Sequence, residues 1–277
     1  VNLAIRPAPP NHGIRFKRVD LKQSPSIPAH FSMVVDTSLA TVIGYNGFIV
    51  STIEHLMASF VGMAVDNALV EIDAHEVPIM DGSAAVFTAL LKNAGFVEQP
   101  APRCVFRVKE PICLSEGDKT VCVYPAPLFK VTCHIVYTHP MIGEQSLEIE
   151  VDETVFENEI SRARTFGFLR EYETLKRYGL GQGSSLDNAV VIGDDQVLNK
   201  GGLRFKNEFV RHKILDSLGD FSLMGMPIMG HIVAYKSGHA FNHLFLKKFF
   251  SSKSSWETHT LRETEDLTRI QCQSVAL

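Results

Sequence analysis

The stretch NEFVRHKILDSLGDF, residues 207–221, constrains the fold more than any other because it makes two demands on its surroundings. At about 100° per residue, helical spacing gathers Val210, Ile214, Leu218 and Phe221 on one side, which calls for burial against another layer. His212, Asp216 and Asp220 follow at four-residue spacing on the other side, with Lys213 beside them. Such a stripe is ordinarily a solvated face carrying an ion pair. The alternative is that His212 and Asp216, one turn apart, reach a single point from a rigid support. A neutral imidazole with a carboxylate suits zinc or ferrous iron. Spacing alone leaves both readings open.

The remaining elements define an α+β pattern. Short β-like runs (VNLAIRPA, GIRFKRVD, TVIGYNGFIV) fill the first fifty residues, separated by Pro- and Gly-bearing turns. A helix is expected from Ser51, where Ser51-Thr52-Ile53-Glu54 fits a capping box and Ile53, Leu56, Met57 and Phe60 follow at helical spacing. NALVEID then reads as a strand and GSAAVFTALLKNAG as a helix closed by Gly95. EQPAPR, residues 98–103, is the linker candidate, dividing the chain into domains at 1–101 and 102–277. The second part repeats the course from strands (CVFRVKEPICL, KTVCVYPA, FKVTCHIVYTH) through a polar helical segment near 153–162 to the two-faced helix, the strand GHIVAYKSG and the apolar helix HAFNHLFLKKFF. Asp-Asn-Ala precedes a β-like run at both Asp66 and Asp187, which fits an internal duplication. The final WETHTLRETEDLTRIQCQSVAL reads as a polar trailing arm.

Bulk properties exclude several classes. A chain of 277 residues with net charge −4 has no broad basic surface for nucleic acid. No apolar run approaches the roughly 18 residues that span a bilayer, so no stable membrane insertion is expected. VNLAIRPAPPNHG lacks the charged start and apolar centre of a signal peptide. The 5 cysteines form an odd set without a Cys-x-x-Cys pair, which argues against a disulfide framework or thiolate zinc site and suits a reducing cytoplasm.

Other candidates for chemistry each have an ordinary alternative. Glu54 and His55 could place a proton acceptor beside a metal ligand, or Glu54 could simply complete the capping box. His239, entering the last helix from the turn KSGHAF, could serve as a general acid or be a surface histidine. Thr165 in SRARTFGF could donate to a developing oxyanion, although the same alternation describes a half-buried strand. Asp81 reads as a helix cap rather than a ligand.

Taken in order, STIEHLMASF, DNALVEIDAHEVPIMDGSAAVF, SRARTFGF, GSSLDNAVV, LRFKNEFVRHKILDSLGD and AYKSGHAFN cover nearly the whole chain. Together they resemble the UDP-3-O-acyl-N-acetylglucosamine deacetylases, the zinc amidases of lipid A synthesis in Gram-negative bacteria. The resemblance implies two similar α+β domains, each a β-sheet with packed helices, and an active site between them. It implies zinc, with ferrous iron possible, on His55, His212 and Asp216. Glu54 matches the general base, His239 the protonated group assisting amine departure and Asp220 the carboxylate that orients it. Thr165 matches a hydroxyl beside the oxyanion, and Lys213 a cation near the reacting acetyl and phosphate groups.

An acyl passage is implied in an insert at about 167–195, lined by Phe166, Phe168 and Leu169, with Lys119 near the diphosphate and Tyr137 near uracil. The implied protein is a cytoplasmic monomer acting on a UDP-linked acylated amino sugar. The family's additional opening strand and a Gly-x-Gly-Leu-His type segment have no counterpart in this sequence. Two other functions stay open: a metal amidase for a different acylated amino sugar, and a non-catalytic binding module for UDP-sugars or acyl groups.

Overall fold

The computed structural model describes residues 1–170 and 185–261. Residues 171–184 of the expected acyl-passage insert, and the chain from 262 onward, lie outside the described residues.

The first hundred residues build one four-stranded sheet and one small one. In the larger sheet, β1 (Leu3–Pro7), β2 (Ile14–Arg18), β3 (Ser26–Pro28) and β7 (Ala68–Ile72) lie in the order β1-β7-β2-β3, with β2 parallel and β1 antiparallel to β7. Ala68, Val70 and Ile72 of β7 alternate into the core, as the period of two in NALVEID requires. The small sheet joins β4 (Val34–Asp36), β5 (Val42–Tyr45) and β6 (Phe48–Val50). Its β5–β6 hairpin turns on Asn46 and Gly47, both at positive φ, the conformation an Asn-Gly pair favours.

Helix α1 spans Glu54–Gly62 and α2 spans Ala85–Ala94, closed by Gly95 at φ +79° as anticipated. The capping box at Ser51 does not form. Ser51 is held in the backbone by His75 and Val77, at 2.8 and 3.0 Å, and Thr52 turns left-handed at φ +59°. The helix therefore starts at Glu54, whose side chain is released for another use.

The remainder centres on β15 (Ile228–Tyr235), in the order β12-β11-β15-β10-β9. The other members are β9 (Ile112–Glu116), β10 (Lys119–Tyr124), β11 (Phe129–Val136) and β12 (Glu144–Glu150), and β8 (Cys104–Val108) also pairs with β15. A short parallel pair, β13 (Phe166–Phe168) with β14 (Val190–Ile192), stands apart. Helices α3 (Glu208–Ser222) and α4 (His239–Ser251) flank β15 in the chain. The order helix–strand–helix thus occurs twice, as α1-β7-α2 and α3-β15-α4. Mixed sheets and packed helices around one continuous apolar core make this an α+β fold.

Two further expectations are corrected. The supposed trailing arm begins with β16 (Trp256–Thr260), antiparallel to β8, because the Trp256 ring stacks on Phe249 and meets Phe106 edge-on, which anchors an otherwise polar strand. The absence of disulfides is also overturned: Cys113 and Cys122 are directly opposite in the β9–β10 hairpin and are bonded. Cys104 and Cys133 are free thiols, Cys104 exposed and Cys133 buried.

Helices α1 and α3 meet face to face, and Gly219 permits it. A Cβ at that position would stand 2.1 Å from the Glu54 carbonyl oxygen, so only glycine lets the two backbones approach this closely. This approach brings residues 54 and 55 against residues 212 to 220.

Candidate metal centre and its flanking carboxylates

His55 on α1 and His212 and Asp216 on α3 converge on one buried point, with one ligand atom from each lying within 4.8 Å of the others. The Asp216 Oδ1 atom is 3.2 Å from His212 Nε2 and 3.6 Å from His55 Nε2. Ligand atoms held at about 2.0–2.1 Å from a tetrahedral ion stand about 3.3 Å apart, so the spacing fits. The tautomer fits as well. His212 Nδ1 faces the Ala163 carbonyl at 3.0 Å and must donate to it, which leaves the Nε2 lone pair free. Burial lowers the His212 pKa despite the opposing pull of Asp216, favouring the neutral ligand form. Asp216 is ionised: burial opposes its charge, but His212 and Lys213 draw its pKa well below the ordinary carboxylate value.

Beside this cluster lies a second group of titratable side chains, Glu54, His239 and Asp220. Glu54 is buried, and burial is the main cause that raises its pKa to about 7; His239 opposes the rise, while Asp216 and Asp220 add to it. Its Oε2 accepts the Thr41 backbone N–H at 3.1 Å, and its Oε1 lies 3.9 Å from His239 Nε2. His239 Nδ1 donates to Asp220, 2.9 Å from Oδ2 and 3.1 Å from Oδ1. Burial would lower the pKa of His239, but the charge and hydrogen bond of Asp220, with Asp216 and Glu54 further off, raise it to about 10. Asp220 is itself held by the Thr41 hydroxyl at 2.6 Å and by the Asn242 amide at 2.8 Å.

Thr41 and Asn242 are site residues that the sequence reading does not single out, although a signal exists for one of them. For Asn242 one was available, since it stands three residues after His239 and so shares its face of α4. Thr41 sits in a loop before β5, where periodicity says nothing.

The other expected residues fall around this centre or away from it. Lys213 Nζ donates to Asp216 Oδ2 at 2.8 Å and lies 5.4 Å from the centroid of the Phe166 ring. Thr165 immediately precedes β13; its backbone N–H donates to the Gly82 carbonyl at 2.7 Å and its carbonyl accepts from the Val190 N–H. Phe166 packs on Phe209 and edge-on to His212, with ring centroids 4.9 and 6.3 Å away. Tyr137 packs against Phe166 and Phe168 at 5.8 and 6.2 Å, so the three rings form one cluster beside His212. Leu169 is exposed at the end of β13, near a cavity also lined by His139, Phe168 and Ile192. Lys119 is exposed on the β9–β10 hairpin, in register with Glu116. Asp81 does not cap α2; it accepts from Ser83 and pairs with Arg204 at 2.8 Å.

A buried two-histidine, one-carboxylate set beside an acid–base cluster defines the class: a protein equipped for metal-assisted hydrolysis. Comparison with known sequences narrows this. The family model described as UDP-3-O-acyl N-acetylglycosamine deacetylase (LpxC) matches residues 1–251, and the chain belongs to that family. Curated proteins named UDP-3-O-acyl-N-acetylglucosamine deacetylase are similar throughout. The one from Myxococcus xanthus is 51% identical over 265 residues, covering 96% of this chain and 84% of its own length. That from Syntrophotalea carbinolica is 49% identical over 257 residues, covering 93% of this chain and 83% of its own length. That from Syntrophus aciditrophicus is 44% identical over 266 residues, covering 96% and 84% respectively.

Proposed function

We propose that this chain removes the acetyl group from a UDP-linked, 3-O-acylated N-acetylglucosamine in lipid A synthesis, using a metal ion held by His55, His212 and Asp216. The convergence of these three buried side chains from two helices is the observation that carries the reading. Zinc is the assigned ion, although the donor set also accepts ferrous iron. When bound, the ion supplies Lewis acidity at the amide carbonyl and makes water a stronger acid.

The chain's own residues then divide the proton work. Glu54, with Oε2 tied to Thr41, takes the proton from the attacking water as the water oxygen bonds to the carbonyl carbon. The Thr165 hydroxyl steadies the negative charge that collects on the carbonyl oxygen. Cleavage of the C–N bond requires a protonated nitrogen, because an amide anion is a poor leaving group. His239 gives up its Nε2 proton to that nitrogen while Asp220 holds Nδ1. Acetate and the free sugar amine leave. Lys213 balances the second oxygen of Asp216 and contributes positive charge beside the acetyl and phosphate groups.

The substrate's acyl chain runs along Phe166, Phe168 and Leu169, a reading supported by the packing of Phe166 beside His212, and Tyr137, which packs on both phenylalanines, is assigned to the uracil. Lys119 is assigned to the diphosphate. The division into domains at about residue 101, with the site between them, belongs to the same proposal and is supported by the repeated helix–strand–helix order. A monomer in the cytoplasm completes it; no helix among the described residues is long and apolar enough to cross a membrane.

The test is chelation followed by repletion. Metal-stripped protein should release no acetate from UDP-3-O-acyl-N-acetylglucosamine, and about one equivalent of zinc or ferrous iron should restore turnover. Full activity without metal, or none with it, would refute the proposal. Substrate lacking the O-acyl chain should be much poorer; equal rates would shift the assignment to a different amino sugar.

A further inference from the structure

We propose that Thr41 is a positioning residue that holds the Glu54 carboxylate and the Asp220–His239 pair in one frame. The inference rests on the deacetylase reading for its kinetic consequence, but its geometry stands independently. Thr41 is 2% exposed and presents two donors in two directions. Its backbone N–H goes to Glu54 Oε2 at 3.1 Å, and its hydroxyl to Asp220 Oδ1 at 2.6 Å, a partner 179 residues away in the chain. Its carbonyl accepts from the Ile53 N–H at 3.4 Å, which fixes the loop to the entry of α1. One residue therefore touches the proposed base, the partner of the proposed acid and the backbone that leads into the helix bearing His55.

A buried threonine with only a packing role satisfies its hydroxyl locally. Thr88 does so in this protein, donating to the carbonyl of Ala84 on its own helix at 2.9 Å. The Thr41 hydroxyl instead crosses to a carboxylate on α3. The consequence is directional. With Oε2 of Glu54 occupied, Oε1 is the oxygen left to face His239 Nε2, 3.9 Å away. With Oδ1 of Asp220 held by Thr41 and Oδ2 by Asn242, the carboxylate cannot swing, and neither can the imidazole that donates to it. Both proton-transferring groups are thereby aimed at one point before substrate arrives, which is where positioning has its largest kinetic leverage.

Thr41→Val tests this, because valine keeps the shape and the backbone N–H and removes only the hydroxyl. In metal-loaded protein, kcat should fall about 10–100-fold with KM within about threefold, and metal content and Tm should be unchanged. Thr41→Ser, which restores the donor, should recover most of the loss. A second readout needs no substrate: the His239 ring resonances in a ¹H–¹⁵N spectrum should move in the valine variant and return in the serine variant. Wild-type kcat with unmoved His239 signals would overturn the inference. So would a loss of kcat that merely follows lost metal or lowered Tm and is not recovered by serine. If the wild type releases no acetate yet the His239 signals move as described, the substrate assignment fails and the positioning role holds.

Discussion

Two glutamates begin two helices of this molecule and end in opposite chemistry. Glu54 opens α1 and Glu208 opens α3, and both are buried, at 4% and 0% exposure. Glu208 meets a full set of donors: the Arg164 guanidinium at 2.9 and 3.1 Å, and the backbone N–H groups of Arg164 and Arg204 at 3.0 and 2.6 Å. Burial alone would raise its pKa, but those bonds, led by Arg164, bring it below the ordinary value. Glu54 receives the Thr41 N–H and lies among Asp216, Asp220 and His239. The same residue at the same place in a helix is a fixed anion in one case and, in the other, a carboxyl whose pKa is raised to about 7, the group proposed above to carry a proton. Both side chains are closed to solvent; what Glu208 has and Glu54 lacks is a set of donors led by a guanidinium.

The strongest way to break this comparison is Glu54→Gln. Turnover should drop by about 10²–10⁴ while bound metal and Tm hold, because the carboxylate is proposed to act on water and anchors little. Near-normal turnover would remove Glu54 from the mechanism. Glu208→Gln should show the reverse weighting. It leaves Arg164 buried without its counter-charge, and the denaturation midpoint should report a loss of about 3–5 kcal/mol. The effect has a defined pH window. A folded-state pKa below that of the unfolded carboxyl, about 4.3, gives stabilisation that is fully present at neutral pH and lost as pH falls through the folded value. The gap between wild type and Glu208→Gln should accordingly close in acid. The smallest expected effect belongs to a pair that is not buried. Lys92 and Glu157, 46% and 41% exposed, are 2.6 Å apart, and Lys92→Ala should shift stability by less than about 1 kcal/mol. A larger loss there would show that donor geometry outweighs desolvation in this protein.

The sequence was most legible where chemistry coincides with a period. His212 and Asp216 share a helical face by arithmetic, and NALVEID alternates as a half-buried strand must. It misled where a local motif was overruled by distant backbone pairing. Ser51-Thr52-Ile53-Glu54 has the letters of a capping box, but Ser51 is taken by His75 and Val77, which the motif cannot reveal. The Asp-Asn-Ala repeat is a similar case. Its first copy leads into β7 and its second into the short β14, whereas the strand matching β7 in element order is β15. The Cys113–Cys122 bond was within reach. A two-residue Gly117-Asp118 turn puts Glu116 opposite Lys119 and hence Cys113 opposite Cys122, a pairing that the turn reveals and the cysteine count does not. The role of Thr41 was out of reach, because nothing local connects it with a carboxylate on α3.

The contact of Gly219 with the Glu54 carbonyl has one more consequence. Two main chains in touch leave no side-chain rotamer to set the gap between them, so the separation of the α1 and α3 backbones that carry the two imidazoles is fixed by the helices themselves. For the metal ion proposed above, the three donors would already be gathered, and capture would require little ordering of the polypeptide. Affinity for such an ion would then be governed by donor identity and hydration rather than by any folding of the site around it.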